Sequence, residues 1–168
     1  MRLRNILTIL ISILLFSCKT DKNERIERSN EPDIHMLNDS DKEMNDAILL
    51  AQQTMNKFEK AYKENNDLYK DFSIKMPFKS TNGYEHIWIT DITYENNEFQ
   101  GVVNNSPAFT REVNIGDTII IDPKNISDWM YIENGKLRGG YSIRAIRDKM
   151  SASQKKEFDD GFGIIIEY

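Results

Sequence analysis

Residues 72–78 read Phe-Ser-Ile-Lys-Met-Pro-Phe. Phe72, Ile74, Met76 and Phe78 alternate with Ser73, Lys75 and Pro77, the period of a strand with one buried face. Pro77 has no N–H to give to a ladder, so it predicts an edge or a strand end. Immediately upstream the period is helical. Met44, Ala47, Ile48, Ala51, Met55, Phe58 and Tyr62 recur at steps of three and four, one apolar face over about five turns. Asp46, Gln53, Asn56, Lys57, Lys60 and Glu64 take the opposite face. Ser40-Asp41-Lys42-Glu43 has capping-box spacing, which predicts the helix start, and Asn65-Asn66 predicts its end.

Downstream, the strand signals continue. Asn82-Gly83 predicts a turn, Tyr84 to Thr93 a strand, and Phe99 to Val103 its partner across Glu95-Asn96-Asn97-Glu98. Residues 104–116, with Pro107 and Phe109, read as a long loop. Thr118 to Asp122 is a short strand stopped by Pro123. Trp129 to Ile132 and Lys136 to Arg138 flank Asn134-Gly135, the strongest hairpin signal in the chain. Ser142 opens a short helix with Ile143, Ile146 and Met150, and Ser151-Ala152-Ser153-Gln154 caps another. Ile164-Ile165-Ile166 reads as a last buried strand. The order is an amphipathic helix, a meandering, mostly antiparallel sheet, then short helices. It predicts a single α+β domain over residues 40–168.

The N-terminus has a different character. Arg2 and Arg4 precede an apolar run from Ile6 to Phe16, broken only by Thr8 and Ser12, and Ser17-Cys18 follows. Charge, short apolar run and small residue is the order of a secretory signal. Eleven residues cover about 16 Å of helix against a hydrocarbon core of roughly 30 Å, too little to span it. Leu15-Phe16-Ser17-Cys18 resembles the lipobox of bacterial lipoproteins. That resemblance implies a signal peptide over residues 1–17, cleavage before Cys18, and a lipid on Cys18 as the contact with the membrane. Lys19 after the cysteine, by the same resemblance, implies delivery to the outer membrane, with the periplasmic or surface face open. Residues 18–39 read as the lipidated cysteine and a charged tether, too poor in apolar side chains to offset ordering entropy.

Composition excludes several classes. The net charge is -5, and without residues 1–17, which hold two arginines and no acid, it is -7. With no basic stripe, nucleic acid is not an expected partner. A single cysteine leaves no disulfide, and two histidines, His35 and His86, supply metal chemistry poorly. No metal and no cofactor is expected. There is no Gly-x-Ser-x-Gly elbow, and Gly139-Gly140 is a pair rather than a phosphate-binding loop.

Two groups of residues stand out. His86 shares a strand face with Tyr84, Trp88 and Thr90, and reads either as a packed histidine or as an acid–base or ligand-contacting group. Asp128-Trp129-Met130-Tyr131 is followed by Tyr141 and Arg144. Trp, Tyr and Arg often anchor binding surfaces but are ordinary packing residues too. Trp129 is expected in the core with Tyr131 beside it, Met130 on the less buried face, and Arg144 paired with Asp128.

Glu85-His86-Ile87-Trp88, Phe99-Gln100-Gly101-Val102-Val103-Asn104, Gly116-Asp117, Ile126 to Tyr131 and Gly139-Gly140-Tyr141-Ser142-Ile143-Arg144, in that order, resemble the YegJ-like family of uncharacterised bacterial domains. The likeness covers roughly residues 41 to 150, with Ser142 where Thr is expected. It implies an architecture and no catalytic residues. The resulting expectation is a lipid-anchored envelope protein acting as a binding or structural module, with a protein partner in the envelope. An inhibitor or immunity-type protein that binds another protein, suggested by the acidic charge and the Asn-rich loop at 104–116, is an alternative. A hydrolase-type enzyme is another, and it requires His86 to meet carboxylates such as Asp91 or Asp117.

Overall fold

The computed structural model describes residues 25–26, 34–35, 41–81 and 83–167. The signal and lipobox residues, Cys18 among them, lie outside these, as does most of the 18–39 segment. Within that segment β1 (Arg25–Ile26) pairs antiparallel with β2 (Ile34–His35).

Helix α1 spans Lys42–Glu64 and buries Met44, Ala47, Ala51, Met55, Phe58 and Ala61. Its N-cap is Asp41 rather than a Ser40 capping box. The Asp41 carboxylate accepts from Met44 N at 3.2 Å, and a carboxylate beside the positive end of the helix dipole is a favourable cap. Asn65 ends the helix in the left-handed conformation.

Six strands follow: β3 (Tyr69–Ser80), β4 (Gly83–Glu95), β5 (Glu98–Val103), β6 (Thr118–Ile121), β7 (Asp128–Glu133) and β8 (Lys136–Gly139). All pair antiparallel in the order β6-β5-β4-β3-β7-β8. The first four form a meander. The chain then crosses to the far side of β3, so β3 is central. Pro77 is tolerated there because β7 reaches only to Lys75, leaving Pro77 with β4 as its one ladder partner. Register shifts at Asp71 in β3 and Asp91 in β4, both at positive φ, bend the long strands.

The core lies between α1 and one sheet face. Ala51, Met55 and Phe58 pack against Ile74, Met76, Ile87, Ile89, Phe99, Val103, Ile121 and Trp129. Helices α2 (Tyr141–Asp148) and α3 (Ala152–Phe162) close the chain, and α3 carries the expected Ser151–Gln154 capping box. The last strand is absent. Ile165 makes a single parallel bridge to Lys136, exchanging hydrogen bonds with Gly135 and Leu137, and stays 52% exposed because no ladder continues beyond it.

Candidate functional site

The residues singled out in the sequence separate onto the two faces of the sheet. Trp129, 2% exposed, lies on the helix side, tilted against Phe58 at 5.9 Å and stacked with Tyr131 at 6.2 Å. Tyr141 meets it edge-on at 5.6 Å, with its hydroxyl 2.9 Å from Thr54 Oγ1. Trp129 is therefore core, with half-buried Tyr131 beside it and half-buried Met130 on the opposite face. The Gly139-Gly140 pair follows from this packing. Both residues have positive φ, and a Cβ on Gly139 would run into the backbone and ring of Trp129.

The other face holds the ionisable groups. Asp128 opens β7, is fully buried, and sits directly across from Lys75. Its Oδ1 accepts from Trp129 N and Tyr141 N, and its Oδ2 from Ser142 N and Ser142 Oγ, at 2.6–3.1 Å. Backbone N–H groups can only donate, so this is the geometry of an ionised, acceptor-only carboxylate. Its position is explained by α2. Gly140, the N-cap, has no side chain to cap the helix, and Asp128 supplies the carboxylate from β7 instead. Lys75 Nζ donates to Ser142 Oγ at 3.1 Å and lies 4.8 Å from the Trp88 ring centre. Burial pushes Lys75 below the usual lysine range, against the pull of Asp128. Burial likewise holds Asp128 above the usual carboxylate range, with Lys75 and Ser142 opposing it.

Arg144 does not form the expected pair with Asp128. Its guanidinium donates to the carbonyls of Gly139, Leu137 and Glu167, which hold it at the C-terminal end of β8 and on the chain terminus. The three backbone donors around Asp128 leave Arg144 no role there.

His86 sits on the same face as Lys75, Trp88 and Thr90 and is half-buried. Burial, with Lys75 nearby as a second cause, lowers its pKa to about 4, so it is neutral at pH 7. Its Nδ1 and the Thr90 hydroxyl are both buried without a hydrogen-bond partner. The carboxylates named with it lie elsewhere. Asp91 is five residues along β4, about 17 Å of strand. Asp117 sits beyond β5, where its carbonyl accepts from Val103 N and its carboxylate from Asn114 N at 2.7 Å. The structure thus brings together Lys75, His86, Trp88, Asp128 and Ser142, and keeps Asp91 and Asp117 apart from them.

Two residues of structural weight were not singled out as candidates in the sequence. Lys75 alternates with apolar residues like any solvent-side lysine, and nothing local marks it. Glu85, 5% exposed, accepts from the N–H groups of Ala108, Phe109 and Thr110, each at 2.8 Å, and pins the 104–116 loop. A signal existed: an acid at a core-facing position of β4, in phase with Ile87 and Ile89, needs a partner. A further concavity of about 670 Å³ lies between α1 and α2, and its lining includes Leu50, Tyr141, Asp46 and Lys149. Its charges are engaged locally, Asp46 by Lys42 and Lys149 by Asp41 and Glu43. Among the described residues, no three His, Cys, Asp or Glu side chains are placed to hold a metal ion, and no helix is long and apolar enough to cross a membrane.

The chain is 40% identical over 101 residues to the uncharacterized protein YegJ of Escherichia coli strain K12, covering 60% of this chain and 64% of that protein. It is 35% identical over 99 residues to a Neisseria meningitidis serogroup B protein named "Putative ankyrin repeat protein", covering 56% of this chain and 39% of that one. The match therefore spans less than two thirds of either relative. No solved structure matches the chain. The model of the family described as "Uncharacterized protein conserved in bacteria (DUF2314)" matches residues 41–165, helix α1 through the β8-edge contact, and the chain belongs to that family.

Proposed function

We propose that this chain is a lipid-anchored protein of the bacterial cell envelope, sorted to the outer membrane, whose DUF2314 domain works as a binding module. The observation that carries the location is the N-terminal sequence: Arg2 and Arg4, the apolar run to Phe16, then Leu15-Phe16-Ser17-Cys18. The arrangement of the ionisable groups supports binding over hydrolysis. Asp128, Ser142 and Lys75 satisfy one another while capping α2, and the charged neighbour of neutral His86 is a cation rather than a carboxylate. Metabolic labelling with a fatty acid, followed by detergent-phase partition of cells making the wild type or Cys18→Ala, tests the anchor. The wild type carries label and partitions into detergent; Cys18→Ala carries none. A mature Cys18→Ala chain that still enters the detergent phase overturns the proposal.

An inhibitor or immunity-type role is the second reading, and one feature favours it. The 104–116 loop is held at three amides by Glu85, and Glu112 accepts from Lys79 N, so the loop is presented in one preorganised shape. Capture of a partner protein that depends on loop residues such as Asn104 and Asn105 would select it.

A further inference from the structure

The chain treats the two edges of its six-stranded sheet differently. At the β8 edge the outward groups are taken. Leu137 N and Gly135 O bond Ile165, and the Arg144 guanidinium covers the carbonyls of Leu137 and Gly139. At the other edge, among the described residues, β6 is paired with β5 alone. A bulge sets which of its backbone groups face out. Gly116, at φ 88°, donates to Val103 O, and Val103 N donates to Asp117 O. With Ile119 opposite Gly101, alternation turns the backbone groups of Ile119 and Ile121 toward β5 and those of Thr118 and Ile120 outward. The strand has no lysine, proline or internal bulge to discourage a new neighbour, and Ile120 is 64% exposed.

We propose that β6 pairs antiparallel with β6 of a second copy of this chain, centred on Ile120, joining the two sheets into one. Outward backbone donors and acceptors call for an extended strand, and this strand is complementary to itself. In that register Ile120 exchanges both backbone bonds with its twin, and the two exposed side chains cover each other. Thr118 falls opposite Asp122 of the second copy, a hydroxyl facing a carboxylate, and Ile119 falls opposite Ile121. Asp117 falls opposite Pro123, so no like charges meet. The two-fold axis of such a pair is normal to the sheet, which puts both α1 helices on one side, as suits two chains anchored in one membrane. A strand of four residues pairs weakly in free solution, and confinement to one surface raises the effective concentration. The inference goes beyond the binding-module reading and rests on its anchor only for that concentration.

The test oxidises membranes from cells making the full chain with Ile120→Cys or with Thr118→Cys. In the proposed register the two Ile120 Cα atoms lie about 5.5 Å apart, within reach of a disulfide. The two Thr118 positions are four residues apart along the strands, about 13 Å, and out of reach. A dimer band is expected in Ile120→Cys and absent in Thr118→Cys and in the wild type, whose one cysteine is Cys18. Sedimentation of the full chain in detergent micelles is the second arm. Ile120→Lys sets two like charges opposite each other. It is expected to weaken self-association about tenfold or more and to leave the melting temperature unchanged. No dimer in Ile120→Cys, equal dimers at the two positions, a disulfide to a different protein, or self-association indifferent to Ile120→Lys overturns the proposal. Fatty-acid labelling of the same membranes reads Cys18 separately, so loss of the anchor and loss of the pairing are distinct outcomes.

Discussion

Trp129 donates its indole N–H to the carbonyl oxygen of Ala51 at 3.0 Å, joining β7 to the middle of α1 across the core. The ring also fills the space between Phe58, Tyr131 and Tyr141. Trp129→Ala is therefore expected to cost roughly 3–5 kcal/mol, from lost burial and the cavity left behind. Trp129→Phe keeps most of the volume and should cost less, about 1–3 kcal/mol. Urea unfolding checks both, and a loss below about 1 kcal/mol in Trp129→Ala would remove Trp129 from the core.

Asp128 is the acceptor for three backbone donors and one hydroxyl, and Lys75 faces it. Asp128→Ala should destabilise by about 3–5 kcal/mol, because it leaves a buried ammonium and the first turn of α2 uncompensated. Lys75→Met in the Asp128→Ala background should recover part of that loss. A double-mutant cycle measures the coupling, and additive single losses would show that the two charges do not act together.

His86 makes stability depend on pH in a stated direction. Its folded pKa, about 4, lies below the ordinary 6.5, so the native state favours the neutral ring. The corresponding stability is fully present above pH 6.5 and is lost as pH falls through 4. The gap corresponds to about 3 kcal/mol. Carboxylates titrate in the same range, so the comparison is with His86→Gln, whose melting temperature should fall less between pH 6.5 and 4. Parallel curves for the two proteins would contradict this placement of His86.

Glu85→Gln removes the charge from the three-amide clamp on the loop. The expected loss is about 1.5–3 kcal/mol, with faster amide exchange concentrated at Ala108, Phe109 and Thr110. Unchanged protection at those amides would mean the loop is held by something other than Glu85.

The elements were legible where side-chain period alone defines them. The apolar face of α1, the alternation of β3 and β4, and the Asn134-Gly135 hairpin are local patterns, and each appears where those patterns place it. The misplaced features depend on distant partners. Whether Ser40 or Asp41 caps α1 is affected by Lys149, more than a hundred residues away, which bonds the Asp41 carboxylate. Ile164 to Ile166 has the composition of a strand but forms a single bridge, Ile165 to Lys136, and no ladder. The pairing of Arg144 with Asp128 was reasonable from proximity in sequence. It fails because Gly140 leaves α2 without its own cap, and Asp128 is taken up by that vacancy.

That vacancy bears on the order in which the molecule assembles. Helix α1 carries its own cap and is long enough to flicker into existence early, whereas α2 has eight residues and no local stop signal at its start. Its first turn gains an acceptor only once the β7–β8 hairpin has closed and brought Asp128, 13 and 14 residues upstream, beside Tyr141 and Ser142. The cap of α2 is thus tied to closure of that hairpin, and opening of the β7–β8 ladder is expected to release the first turn of the helix with it.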